Sequence, residues 1–301
     1  MKTYKNGNYI VYLLNNGTKI RYTKDNELIP ERPESIDVCI TEKCNMNCQF
    51  CYANCTSDGK HAKLFNDDGT PVYWLSTVAP YTELAVNGND MDHPQLEMFL
   101  KYCKEHNIIV SMTFHQKQFT DNYELIREYQ KQGLLHGIGI SISFPDYRTI
   151  ELIKHTHNAV CHVINGIVTE NIINQLANNN LKLLILGYKY KGRGVSYAKG
   201  EYYVGKNSVL NDNMKWLSDN VMNLSSLFDT VVFDCLATEQ LNMKEKLSEN
   251  DWNKYYMGKD GTTTFYIDAV NEKFAKSSTE TEYTDIDNKS VNEMFNKILD
   301  K

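Results

Sequence analysis

The chain has 301 residues, 38 acidic against 32 basic side chains, a formal net charge of −6 and eight cysteines. At this length one core buries about 75% of the unfolded surface, so a second domain is not required; the acidic balance excludes a large nucleic-acid footprint. No apolar run approaches the ~20 residues of a membrane span, and Met1-Lys-Thr-Tyr-Lys-Asn6 leads into polar sequence where a signal peptide has its apolar stretch. The expected location is cytoplasmic, where cysteines point to metal or free thiols rather than disulfides.

The first elements form a β-hairpin: Tyr9 to Leu14 and Thr18 to Tyr22 flank Asn15-Asn16-Gly17, a turn that demands positive φ. Strands and helices then alternate. Ser35 to Ile40 is a strand leading into a cysteine-rich loop, and Thr82 to Val86 is a strand followed by a helix over Pro94 to His106. Ile108 to Thr113 is a strand, and Asp121 to Gln132 a helix with Asp121 as N-cap and Gly133 past its end. Gly137 to Ser143, Ala159 to Asn165 and Leu181 to Leu186 continue as strands, with helices over Tyr147 to Lys154 and Glu170 to Ala177 between them. Thr230 to Asp234 and Thr262 to Ala269 add strands, and Val291 to Leu299 is a closing helix.

This alternation implies βαβ units and a parallel sheet. The expected fold class is α/β: a partial (β/α)6 TIM-type barrel with an N-terminal β-hairpin over 1–34, the barrel over 35–234, and a C-terminal β/α extension over 235–301 packing on it. An open doubly wound sheet has the same alternation but wants a glycine-rich phosphate turn after its first strand, and Thr41-Glu-Lys-Cys44 offers none.

The loop after the first of these strands carries Cys44-Asn-Met-Asn-Cys48-Gln-Phe50-Cys51. Three thiolates at these gaps hold three irons of an iron-sulfur cluster and leave a fourth open, whereas most electron-transfer clusters use four cysteines. A four-thiolate zinc site on Cys44, Cys48, Cys51 and Cys55 is the alternative, in a binding protein without redox chemistry.

The C-x3-C-x2-C spacing, with an aromatic before its last cysteine, resembles the signature of the radical S-adenosylmethionine (radical SAM) enzymes. The resemblance implies a [4Fe-4S] cluster on Cys44, Cys48 and Cys51. Its open iron chelates S-adenosylmethionine (SAM), whose reductive cleavage gives a 5′-deoxyadenosyl radical that abstracts hydrogen from a substrate. It further implies an electron donor such as flavodoxin or ferredoxin, and a small-molecule, nucleotide or peptide substrate. Beyond Cys161 only Cys235 remains, so one cluster is expected.

Asn87-Gly88-Asn89 aligns on the family's Gly-Gly-Glu segment, which holds the methionine amino group, with Asn87 in place of the first glycine and Asn89 in place of the glutamate. Ser141 and Ser143 share a strand face and correspond to the family's polar ribose or carboxylate contact. Asn165 and Leu186 fall where the family packs adenine, and Phe50 lies beside it.

Ser111, Thr113 and His115 share a face of their strand, implying a hydrated or ligand-filled mouth. On the substrate side, the loop Gly187 to Gly194 offers Tyr188, Lys189, Lys191 and Arg193 to a phosphate or carboxylate, or else is a solvated basic loop. Cys235 is a candidate hydrogen-atom donor, or else a small hydrophobe. His155, His157 and His162 read as surface or capping residues.

Overall fold

The computed structural model describes residues 1–87, 90–201 and 207–300. Near the N-terminus, β1 (Lys2–Asn6), β2 (Tyr9–Leu13) and β3 (Lys19–Tyr22) form an antiparallel three-stranded sheet in that order. The expected hairpin is thus joined by a strand that its polar sequence hid: only Tyr4 and Asn6 of β1 face inward.

The main sheet comprises β4 (Ser35–Cys39), β5 (Glu83–Asn87), β6 (Ile109–His115), β7 (Gly137–Ser141), β8 (Ala159–Ile164), β9 (Lys182–Leu186), β10 (Thr230–Phe233), β11 (Thr264–Asp268), β12 (Lys273–Ala275) and β13 (Thr284–Asp285). Its order is β10-β9-β8-β7-β6-β5-β4-β11-β12-β13. Strands β4 to β10 are parallel, and β11 pairs parallel with β4, placing Tyr266 opposite Asp37. The six-stranded expectation therefore undercounts the parallel series. The sheet gains β10 at one end, and from the C-terminal segment β11 and the antiparallel β12 and β13 at the other. Among the described residues no backbone ladder joins β10 to β13.

Period-two alternation sorts the strands into two faces. Val38, Val86, Met112, Ile140, Cys161 and Ile185 are buried and belong to the core that the helices cover. The intervening residues Ala85, Ser111, Gly139, Val160, Leu184 and Val232 line one cavity of about 620 Å³, so the sheet curves around a lumen. The N-terminal sheet lies at the strands' N-terminal end, where Lys19 pairs with Glu83 at 2.9 Å. Arg21 pairs with the buried Glu34 at 2.7 Å, and the Tyr9 hydroxyl donates to Glu34 at 2.6 Å.

The helix expected over Asp121 to Gln132 is present, and a short helix that was not expected precedes it. Gln116–Asp121 is a separate helix, capped by the His115 side chain in a reciprocal box with Gln118, and Tyr123–Lys131 follows after Asn122. Asp121 ends the first helix instead of starting the second, and its carboxylate pairs with Lys117 one turn back at 2.7 Å.

Candidate functional site

The loop from β4 carries the three cysteines to the C-terminal ends of the parallel strands. Cys44, Cys48 and Cys51 line a single cavity of about 190 Å³ with Phe50, Thr113, His115, Ser141, Ser143 and His162. Ser143 Oγ lies 3.4 Å from His115 Nε2, and burial lowers the imidazole pKa of His115 from 6.5. Phe50 stands edge-on to Tyr197, ring centroids 5.8 Å apart.

Arg193 fixes this loop. Its guanidinium donates from Nε to the Cys48 carbonyl and from Nη1 to the Cys55 carbonyl, each at 3.0 Å, and its backbone N–H donates to the Cys51 carbonyl at 3.0 Å. The approach depends on Gly192, with φ of +55°, where a Cβ would press on the Tyr52 backbone. The sequence left Arg193 either offered to an anion or solvated; in the structure its guanidinium donates to the cysteine-loop backbone.

Among the described residues, no three His, Cys, Asp or Glu side chains converge on a point that would hold a single metal ion. A cluster makes no such demand, because each thiolate takes its own iron. Three thiolates lining one cavity with hydroxyls and imidazoles fit a cluster with a polar ligand beside it. A hydrogen bond between the Cys51 and Cys55 side chains lowers the Cys51 pKa and raises that of Cys55.

The other expected contacts scatter. Asn87 ends β5, while Gly88 and Asn89 lie outside the described residues. Asn165 is buried just past β8; its Nδ2 donates to Gln240 at 3.0 Å, and its Oδ1 has no partner among the described residues. Leu186 pairs with Ile164 at the end of β9. Tyr188 is a packing residue: it is buried, and its hydroxyl donates to the Gly194 carbonyl at 2.6 Å.

Lys189 donates to Ser278 Oγ at 2.7 Å, with its ammonium 4.0 Å from the Tyr52 ring centroid. Burial lowers its pKa against the pull of Asp37, Asp234 and Asp260. Burial likewise raises Asp37 to about 6, with Lys189 opposing. Lys191 donates to the carbonyls of Ser278 and Glu280, each at 3.0 Å, and to the Tyr283 hydroxyl. The loop's lysines are therefore paired within the protein; they tie the end of β9 to the segment between β12 and β13. Cys235 opens the helix Cys235–Gln240 with Sγ 3.7 Å from the Gly258 carbonyl. Burial and the nearby Asp260 push its thiol up to about 12, so it stays protonated.

His162 is a correction. It faces the lumen, lining both the cysteine cavity and the chamber below. Its ring occupies space that only a glycine leaves open: a Cβ on Gly139 would lie 2.7 Å from His162 Nε2 and 2.8 Å from Thr113 Oγ1. Burial holds its pKa down to about 4, so the ring is neutral at pH 7. Parity carries the missing signal, since Cys161 and Val163 face the core and His162 between them must face away. His155 and His157 are exposed, as expected.

No protein-family model and no curated protein matches the sequence. Solved structures do. SuiB of Streptococcus suis bound to S-adenosylmethionine superposes with a TM-score of 0.54 at 12% identity, over 90% of this chain and 68% of that one. SuiB bound to the precursor peptide SuiA gives 0.52 at 12% identity, over 89% and 65%. A further SuiB structure gives 0.50 at 11% identity, over 89% and 66%. The chain spans about two thirds of SuiB's length, and what the two proteins share at this identity is the fold.

Proposed function

We propose that the protein is a radical SAM enzyme that acts on a peptide. The observation that carries the reading is the convergence of Cys44, Cys48 and Cys51 with Ser141 and Ser143 on one cavity at the strands' C-terminal ends. The fold of SuiB, a protein seen with SAM and with a precursor peptide, supports both halves of the proposal.

In this reading Cys44, Cys48 and Cys51 would hold a [4Fe-4S] cluster, which would supply one-electron reducing chemistry to bound SAM. The protein's own residues hold and shield the reaction. Arg193 holds the backbone of the loop from Cys48 to Cys55. Ser141 and Ser143 offer hydroxyls to SAM across the cavity, and Phe50 offers an apolar surface to its adenine. His162, neutral below them, offers one donor and one acceptor where a substrate rising through the lumen meets the cysteine cavity. Asn89 takes the place of the family's glutamate toward the methionine amino group, as an uncharged acceptor.

The test is anaerobic reconstitution. About four irons per chain are expected from the cluster type, with 5′-deoxyadenosine released from SAM on reduction. Stoichiometric zinc in the native protein, without iron or SAM cleavage, would sink the proposal. The contact between Cys51 and Cys55 favours that second reading, in which all four thiolates bind zinc in a binding protein.

A further inference from the structure

A groove of about 680 Å³ opens at the N-terminal ends of β6 and β7, on the side of the sheet opposite the cysteine loop. Lys2, Lys104, Arg127 and Lys131 line it with three histidines, and no carboxylate lines it. In a chain of net charge −6 this is a local reversal of sign. Part of the charge has structural work: Lys104 donates to the Gln132 carbonyl at 2.7 Å, and Arg127 lies 3.6 Å from Glu124, whose side chain is exposed. Three helices end nearby, each contributing about half a negative charge. Four full cations outweigh these, and Lys2, from β1, and Arg127, mid-helix, are not there to cap a helix end.

The groove borders the lumen. It shares Ile109 and His136 with the chamber inside the sheet, and that chamber shares Thr113 and His162 with the cysteine cavity. Along β6 the span from Ile109 to His115 is roughly 20 Å at the rise of a strand, which an extended peptide covers in about six residues.

We propose that this groove binds an acidic peptide segment, anchoring a substrate whose neighbouring residues enter the lumen from below and reach the cysteine cavity past His162. The inference rests on the peptide reading above and adds where, and by what chemistry, the peptide is held. Carboxylates meet the lysines and Arg127, and aliphatic side chains meet the edges of Ile108, Val110 and Leu134 on the floor. A nucleic acid fits less well, because the lining has no Phe, Tyr or Trp on which a base could stack.

The experiment is fluorescence anisotropy on the reconstituted full chain, with a short fluorescein-labelled peptide alternating Glu with Leu and Ala. Its lysine counterpart serves as control. The acidic peptide is expected to bind and the lysine peptide not to. Binding should weaken with added salt, and Lys2→Glu combined with Lys131→Glu should weaken it roughly tenfold or more. Equal affinity in wild type and the double variant, with both melting alike, would overturn the proposal. So would salt-independent binding by wild type, a result that needs no variant to fold. Displacement of the peptide by single-stranded RNA at lower concentration would overturn it in favour of a nucleic-acid groove. Because 5′-deoxyadenosine release is read separately, peptide binding without SAM cleavage would fail the enzyme reading alone, and cleavage without charge-dependent binding would fail the groove alone.

Discussion

Arg193 and Cys48 are 145 residues apart, yet the guanidinium Nε of one donates to the carbonyl of the other at 3.0 Å. The same guanidinium reaches Cys55, so a single side chain from the loop after β9 sets the path of the loop after β4. Arg193→Ala removes two charge-assisted bonds, each worth roughly 1.5–3 kcal/mol. The variant should retain markedly less iron after anaerobic desalting. Arg193→Lys should rescue little, because an ammonium cannot reproduce the planar fork. Iron content equal to wild type in both variants would mean the loop is held by other means.

The cysteines themselves separate two metal centres. Replacing Cys44, Cys48 or Cys51 by Ala should abolish the iron chromophore, whereas Cys39→Ala and Cys55→Ala should keep it. Loss of the metal in Cys55→Ala, judged by elemental analysis, would mean that the contact between Cys55 and Cys51 marks a four-thiolate site.

His162 ties acid stability to the lumen. Its folded pKa of about 4 lies below its ordinary 6.5, so the unfolded chain binds the proton first as pH falls. Stability is complete above 6.5, declines between 6.5 and 4, and levels off below, for a loss of at most about 3 kcal/mol. The buried His93, also lowered to about 4, adds to this window. His162→Gln should therefore flatten part of the decline in denaturant midpoint between pH 6.5 and 4. An unchanged slope would mean the ring is hydrated and titrates normally.

Glu83 produces a second, more acid window. Burial would raise its pKa, but Lys19 and the Ser111 hydroxyl outweigh it and hold the carboxyl at about 2 against an ordinary 4.5. Its contribution is present above 4.5 and is lost as pH falls toward 2, about 2–3 kcal/mol in all. Glu83→Gln should melt lower at neutral pH and converge on wild type near pH 2. Parallel curves down to that pH would contradict the pairing.

Asn89 offers a direct comparison with the resembled family. If its side chain accepts from the SAM amino group, Asn89→Ala costs roughly 1.5–3 kcal/mol, about 10- to 150-fold in affinity. Asn89→Glu should bind SAM at least as tightly as wild type. Equal SAM affinity in wild type and Asn89→Ala, with the iron intact, would remove Asn89 from the pocket.

What the sequence determined by itself was local. Spacing marked Cys44, Cys48 and Cys51 as a candidate ligand set, and period-two alternation put Ser111, Thr113 and His115 on one face. The closing helix Val291–Leu299 was also legible, and the structure adds that Ser290 and Glu293 close a reciprocal box at its start. What only the tertiary structure decided was which chemistries meet. Arg193 and Lys191 read as free cations because nothing nearby in sequence pairs them; their partners lie at Cys48, Cys55 and Glu280, brought up by folding. His162 looked superficial until the curved sheet turned its face inward and Gly139, on the next strand, left room for the ring. Strand β11 joined the parallel sheet because β4 had an open edge, and no local propensity records an edge 225 or more residues away. Side-chain type and short-range period are written in the chain, whereas pairings across the sheet depend on loop closure and packing among elements distant in sequence.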